Sequence, residues 1–185
     1  MGNRALFLDR DGVINIDHGY VFTIEKFEFV DGIFDLVKYA HDEGYLIIII
    51  TNQAGIGRGY YCENEFTELT RWMCEIFKNK ESPITEVYFC PSHPDHGLGK
   101  YKVNDFRRKP HPGMIIEAAR DYNIDLSSSV LIGDKSTDIE AGKSANVGCN
   151  ILFQKNLGKT SNEGQTHVEI SSLNLAKQFL KKVKR

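Results

Sequence analysis

The chain has 185 residues, 41% of them hydrophobic, with 25 acidic and 23 basic residues and a formal net charge of −2. One buried core accounts for that length, so a single domain over residues 1–185 is expected, and the interleaved charges exclude the broad electropositive field that holds a nucleic-acid backbone. The longest apolar run, residues 45–50, is far short of a membrane span, and the N-terminus lacks the charged-then-apolar order of a signal peptide. A cytoplasmic protein with no membrane and no nucleic-acid partner is therefore expected. In it Cys62, Cys74, Cys90 and Cys149, with no CxxC pair among them, stay thiols.

Residues 5–8 open the chain as a short apolar run of the kind that a strand buried on both faces requires. They lead into Asp9-Arg10-Asp11-Gly12. Two carboxylates one residue apart at a strand end repel each other unless a cation or a proton lies between them. A Mg²⁺ held by Asp9 and a neighbouring carbonyl relieves that repulsion. In phosphoryl transfer such a pair divides the work: Asp9 attacks phosphorus, and Asp11 protonates the leaving oxygen and later activates water. Asp-x-Asp-Gly also serves ordinary turns and calcium loops.

A helical period over residues 33–43 precedes the second strand, 45–50, which ends in Thr51-Asn52-Gln53-Ala54-Gly55-Ile56-Gly57-Arg58-Gly59. A hydroxyl at a strand terminus followed by a Gly-rich turn can donate hydrogen bonds to phosphate oxygens, and Thr51 is the natural donor; a helix cap and a flexible loop are the plainer readings. After a helix at 63–77 and a strand at 86–89 comes Arg108-Lys109-Pro110-His111-Pro112-Gly113, where two cations before a proline-fixed turn can converge on one anion or remain a solvated pair. A helix at 114–122 and a strand at 130–132 lead to Gly133-Asp134-Lys135. Asp134 is placed to complete the Mg²⁺ shell, and Asp138, one turn on, to orient Lys135 or a metal-bound water; either acid alone could be a cap. The remainder reads as a helix at 137–145, a strand at 148–153, a linker at 156–165, a strand at 167–170 and a helix at 173–182, ending in the basic run 181–185, a solvated helix end.

Strands separated by helices imply a parallel sheet with helices on both faces and ligands at the carboxyl ends of the strands. Every candidate group named above follows an apolar run, in the order that one such crater requires.

The set Asp9-x-Asp11, Thr51, Lys109 and Asp134 resembles the four signature motifs of the haloacid dehalogenase superfamily. The resemblance implies a Rossmann-like core, a Mg²⁺ cofactor and an aspartyl intermediate, and the acid at Asp11 indicates the phosphatase branch. More narrowly, Asp9–Gly12, Asp17-His18-Gly19-Tyr20, residues 51–56, residues 108–114 and Gly133-Asp134-Lys135 are similar to the heptose-bisphosphate phosphatases of that superfamily, over about residues 5–153. A small phosphorylated sugar is then the expected partner. By the same resemblance Thr51 and Lys109 stabilise the transferring phosphoryl group, Asp9, Asp11 and Asp134 form the metal set, and Asp17, His18, Gly19, Tyr20, Asn52, Gln53, Ala54, Arg108 and Lys135 contact substrate.

No large cap domain fits between the motifs, so the loops at 16–23, 54–61 and 91–107 must shape the pocket mouth, with Arg58 and Lys135 as candidates for a second phosphate. A monomer is expected. Enzymes of this family commonly close the third loop with a structural zinc on Cys-x-His and Cys-x-Cys. Here Cys90 remains, while Ser92, Asp105 and Arg107 stand at the other three places, and one ligand of four holds no structural zinc. A pairing of Asp105 with Arg107 or Arg108 is the expected substitute. A different site built from Cys90, His93, His96 and His111 is the alternative. Rival functions are a histidinol-phosphate phosphatase, a polynucleotide 3′-phosphatase, which would need a basic track, and a non-catalytic phosphosugar-binding module.

Overall fold

The computed structural model of the chain describes residues 2–155 and 167–180. Its β-branched and aromatic runs form six strands: β1 (Arg4–Leu8), β2 (Tyr45–Asn52), β3 (Glu86–Cys90), β4 (Val130–Gly133), β5 (Cys149–Phe153) and β6 (Val168–Ile170). All pair in parallel, in the order β3-β2-β1-β4-β5-β6. The chain therefore winds outward from β1 to β3, returns to the other side of β1 at β4, and winds outward again. The carboxyl end of β1 lies where the strand order reverses, the position at which open parallel sheets leave a crevice.

Side-chain alternation along each strand feeds two apolar layers. Leu6, Leu8, Ile47 and Ile49 face one layer with α1 (Ile33–Asp42) and α3 (Glu63–Asn79), through Leu36, Val37, Met73 and Phe77. Phe7, Ile48, Ile50 and Leu131 face the other with α4 (Gly113–Asp121) and α5 (Ser136–Ser144), through Met114, Ile115, Ala118 and Ile139. The strands and four long helices fall where the periodicity places them.

Three features differ from expectation. First, β2 runs on to Asn52, because β3 reaches far enough to pair Phe89 with Thr51 and Cys90 with Asn52. Thr51 is thus a strand residue, which removes its reading as a helix cap. Second, a short helix, α2 (Ala54–Gly57), forms within the Gly-rich turn. Third, the expected helix at 173–182 is a 3₁₀ helix over Leu173–Phe179. Leu173, Ala176 and Phe179 all pack on the first layer, and a spacing of three aligns with a helix of three residues per turn. Residues 181–182, the basic run 181–185 and the linker at 156–165 lie outside the described residues.

Phe77 is fully buried and its ring meets Phe29 and Phe34 at 5.8 and 4.9 Å. Replacement by alanine should cost about 3–5 kcal/mol of unfolding free energy in urea titration, whereas Ile116→Ala, at a side chain 44% exposed, should stay within about 0.5 kcal/mol.

Candidate active site

Asp9 is the first residue after β1, and its N–H donates to the carbonyl of Ile132 on β4 at 3.1 Å, which holds it over the crevice. One carboxylate oxygen, Oδ1, accepts the N–H of Arg10 at 2.7 Å and lies 2.9 Å from the ammonium of Lys109. Lys109 is itself buried. Its Nζ also donates to the carbonyl of Ile50 at 2.9 Å and pairs with Asp138 Oδ1 at 2.6 Å, so three donors meet three acceptors. Burial works against the charge on Lys109, but Asp9 and Asp138 outweigh it and hold the ammonium above its ordinary range. Asn52 fixes the main chain beneath: its Nδ2 donates to Lys109 O at 3.0 Å and its Oδ1 accepts Lys109 N–H at 3.1 Å.

Asp11 lines the same cleft as Asp9, across a bend at Arg10. Arg10 between them turns into the core, 1% exposed. Its Nε and Nη2 donate to Asp11, Nη2 at 2.9 and 3.0 Å, and Nη2 also reaches Val21 O at 2.6 Å. Asn15 Nδ2 and Gln53 Nε2 add bonds to Asp11 of 3.1 and 3.0 Å. Gln53 Nε2 also donates to Thr51 Oγ1 at 2.8 Å. With its oxygen accepting, the Thr51 O–H remains available to donate.

Each of Asp9, Asp134 and Asp138 offers an oxygen within 4.8 Å of the other two, the convergent group of metal-ligating side chains among the described residues. Two glycines make this approach possible. A Cβ on Gly12, where φ is +96°, would fall 2.3 Å from Asp134 Oδ2, and one on Gly133 would fall 2.2 Å from Asp138 Cβ. Asp134 Oδ1 and Asp138 Oδ1 are both buried without a hydrogen bond, but Asp138 Oδ1 has the ion pair with Lys109 at 2.6 Å and its Oδ2 accepts the N–H of Lys135 at 3.1 Å. Asp138 thus braces the buried lysine and touches Lys135 through the main chain, instead of orienting the Lys135 side chain. Burial pushes Asp9 up to about 8, with Lys109 opposing and Asp138, Asp134 and Asp11 adding to the rise, and burial pushes Asp134 up to about 6. A hard divalent cation fits this donor set: it offers the orphaned oxygen a partner, compensates the burial of the carboxylates and offsets their mutual repulsion.

Asp9, Asp11, Asn52, Gln53, Lys109 and Asp138 line a cleft of about 470 Å³ together with Asp17, Gly19, Tyr20, Ala54, Arg108 and Lys135, while Thr51 and Asp134 stand behind that lining. Lys135 Nζ pairs with Asp17 at 3.0 Å, and the Gly19 N–H donates to Asp17 at 3.0 Å. Burial alone would raise Asp17, yet these two partners bring it below the ordinary carboxylate range. His18 is the predicted contact that turns away from the cleft, toward Glu28 at 3.4 Å. Arg108 donates to Ser92 O at 3.2 Å. Tyr61 and Thr137 also line the cleft and Arg10 and Asn15 support it, although sequence reasoning did not single them out. For Arg10 a signal existed: a cation between two acids at the end of a buried strand has to find its counter-charge inside.

In the third loop the Asp105–Arg107 pair forms at 3.2 Å, and Ser92 Oγ donates to Asp105 at 3.3 Å. The guanidinium of Arg108 goes to Ser92 O instead, and its N–H donates to Asp105 O at 2.9 Å. Of the alternative set, His93 Nδ1 accepts the N–H groups of Asp95 and His96, both at 3.2 Å, the His93 and His96 rings lie 4.7 Å apart, and His111 stacks on Phe106; among the described residues these side chains do not converge as a metal-ligating group.

A family model described as polynucleotide kinase 3 phosphatase matches residues 8–178. The chain is 59% identical over 153 residues, 83% of its length and 81% of the relative's, to the D-glycero-alpha-D-manno-heptose-1,7-bisphosphate 7-phosphatase of Burkholderia mallei. It is 40% identical over the full length of both chains to the D-glycero-beta-D-manno-heptose-1,7-bisphosphate 7-phosphatase of Vibrio cholerae. Among solved structures, a putative HAD-like phosphatase from Mesorhizobium loti superposes with a TM-score of 0.87 at 29% identity, covering 100% of this chain and 90% of that one. The D,D-heptose 1,7-bisphosphate phosphatase of B. bronchiseptica, complexed with magnesium and phosphate, superposes at 0.80 with 23% identity, covering 96% and 97%. The chain belongs to the haloacid dehalogenase-type phosphatases that the family model describes, and within them to the family of the D-glycero-D-manno-heptose-1,7-bisphosphate 7-phosphatases.

Proposed function

We propose that this chain is a Mg²⁺-dependent phosphatase that removes the C7 phosphate of D-glycero-D-manno-heptose 1,7-bisphosphate through an aspartyl-phosphate on Asp9. The observation that carries the reading is the buried Asp9 carboxylate at the carboxyl end of β1, one oxygen held by Lys109 and the Arg10 N–H, beside the acids Asp134 and Asp11. The identity to curated relatives supports the substrate. Because the 59%-identical relative carries the alpha name, the alpha anomer is taken as preferred.

Asp9 attacks phosphorus, forming an Oδ–P bond as the bond from phosphorus to the C7 oxygen breaks. Asp11 donates a proton to that oxygen. Asp11, now a carboxylate, takes a proton from water, whose oxygen attacks phosphorus and releases inorganic phosphate and the Asp9 carboxylate. Lys109 and the Thr51 hydroxyl face the charge that develops on the transferring group. Asp9 and Asp134 would hold Mg²⁺ through their carboxylates and Asp11 through its main-chain carbonyl, since its side chain is taken by Arg10, Asn15 and Gln53. Bound there, the cation supplies neutralisation of the phosphate oxygens.

Arg58 is the better candidate for the second phosphate. Lys135 is already paired with Asp17 and lies 3.7 Å from Asp134, whereas Arg58 Nε is buried without a hydrogen-bond partner. The positive charge of Arg58 also helps burial lower Arg108 below the ordinary arginine range, as expected of two cations awaiting an anion. A polynucleotide substrate fits less well, given a net charge of −2.

A phosphosugar panel assayed with Mg²⁺ and with chelator tests the reading: the heptose bisphosphate should be the best substrate, with histidinol phosphate and a 3′-phosphorylated oligonucleotide poor ones, and Asp9→Asn should lose more than about 10³-fold in turnover. Full activity of Asp9→Asn would exclude the covalent route. Arg58→Gln should lower kcat/KM for the bisphosphate relative to the 7-monophosphate by about tenfold; an unchanged ratio would remove Arg58 from the site.

The raised acids set a pH dependence. Protonated Asp9 and Asp134 are favoured in the fold, so their contribution is complete below the ordinary carboxylate range and is lost as pH rises through about 6 and then about 8. The melting temperature of chelator-treated protein should therefore fall between about pH 5 and about pH 8.5, and Mg²⁺ should raise it more at the alkaline end.

A further inference from the structure

We infer that Tyr61 is a positioning residue for the acid–base Asp11, acting through the side-chain amide of Gln53. The inference rests on the role proposed for Asp11 above. A glutamine amide has one donating and one accepting end, and only the donating end is compatible with a carboxylate neighbour. Gln53 Nε2 is turned to Asp11 Oδ2 at 3.0 Å and to Thr51 Oγ1 at 2.8 Å, and its Oε1 accepts the Tyr61 hydroxyl at 2.5 Å. Asp11 and Thr51 set the amide orientation, since a flipped Gln53 would turn its oxygen to Asp11 and its NH₂ away from both acceptors, and the Tyr61 hydroxyl anchors the amide in that orientation through its oxygen. One bond thereby orders the donor shared by the acid–base and by the hydroxyl aimed at the phosphoryl group.

The surroundings hold Tyr61 to this task. Its ring is 6% exposed and stacks on Phe22 with centroids 5.0 Å apart. A Cβ on Gly55 would fall 2.2 Å from Tyr61 Cε1, so glycine at this position of α2 is what admits the ring. Burial raises the phenol well above its ordinary range, with Arg10 opposing and Asp11 adding, and it stays a donor. Asp11 needs such a guide because the bonds it accepts from Arg10 and Asn15 are ones that it must partly give up to reach a leaving oxygen.

Tyr61→Phe keeps the ring and its packing and deletes the one bond. On the heptose bisphosphate, whose alkoxide leaving group needs a proton, kcat should fall by about three- to tenfold with KM little changed. On p-nitrophenyl phosphate, whose leaving group departs unprotonated, the fall should be markedly smaller, as it should be for Asp11→Asn. In a Gln53→Met background the Tyr61→Phe change should add almost nothing, because the relay is already broken. Equal losses on the two phosphates, a change confined to KM, or an undiminished effect in the Gln53→Met background would each overturn the assignment. Thermal melts of each variant identify loss of fold, which would lower both substrates equally. Failure of the wild-type enzyme to turn over the heptose bisphosphate would instead refute the substrate reading, and the same comparison on another alkyl phosphate that it does hydrolyse would still decide the role of Tyr61.

Discussion

Everything in the cleft is arranged around one buried ammonium. Lys109 is a full charge removed from water, a situation that is tolerated only when each N–H finds an acceptor and the charge finds its opposite. Asp9, Asp138 and the Ile50 carbonyl supply both. The consequences reach far along the chain: β2 must end beside Asn52 to grip the Lys109 main chain, β1 must deliver Asp9, and α5 must begin so that Asp138 faces inward. Removing one partner from such a cluster leaves an uncompensated buried charge, which costs more than the pair contributes when intact.

The topology explains why these partners can meet. Asp9, Asp134 and the 91–112 loop follow β1, β4 and β3, Thr51 lies at the carboxyl end of β2, and only at the reversal of strand order do the connections on either side of β1 diverge enough to leave a crevice. The glycines complete the approach. Gly12 and Gly133 stand where a Cβ would collide with Asp134 and Asp138, so the acids can crowd together in a way that favours a cation among them.

The cleft also shows how a small site divides its polar residues. Asn52 and Gln53, taken from the sequence as substrate contacts, line the cleft, yet their amides are engaged by Lys109 and by Asp11, Thr51 and Tyr61. Lys135 is engaged by Asp17. Arg58, behind the residues that line the cleft, keeps a buried guanidinium Nε without a hydrogen-bond partner, as Arg10 does at Nη1. Residues adjacent in sequence thus serve different ends, some shaping the machinery and others left open to the ligand.

What the sequence determined by itself was the order of strands and helices and the chemical type of each strand-end group, because both are local. Buried parallel strands read as unbroken apolar runs, and an acid or cation directly after one has to lie at the rim. The pairing of Lys109 with Asp138, the bracing of Asp11 by Arg10 and Gln53, the turning away of His18 and the 3₁₀ form of Leu173–Phe179 were decided only by the tertiary structure. Each depends on which distant group fills the opposite side of a contact. A residue's own type states what it can donate or accept, and the fold alone states to whom.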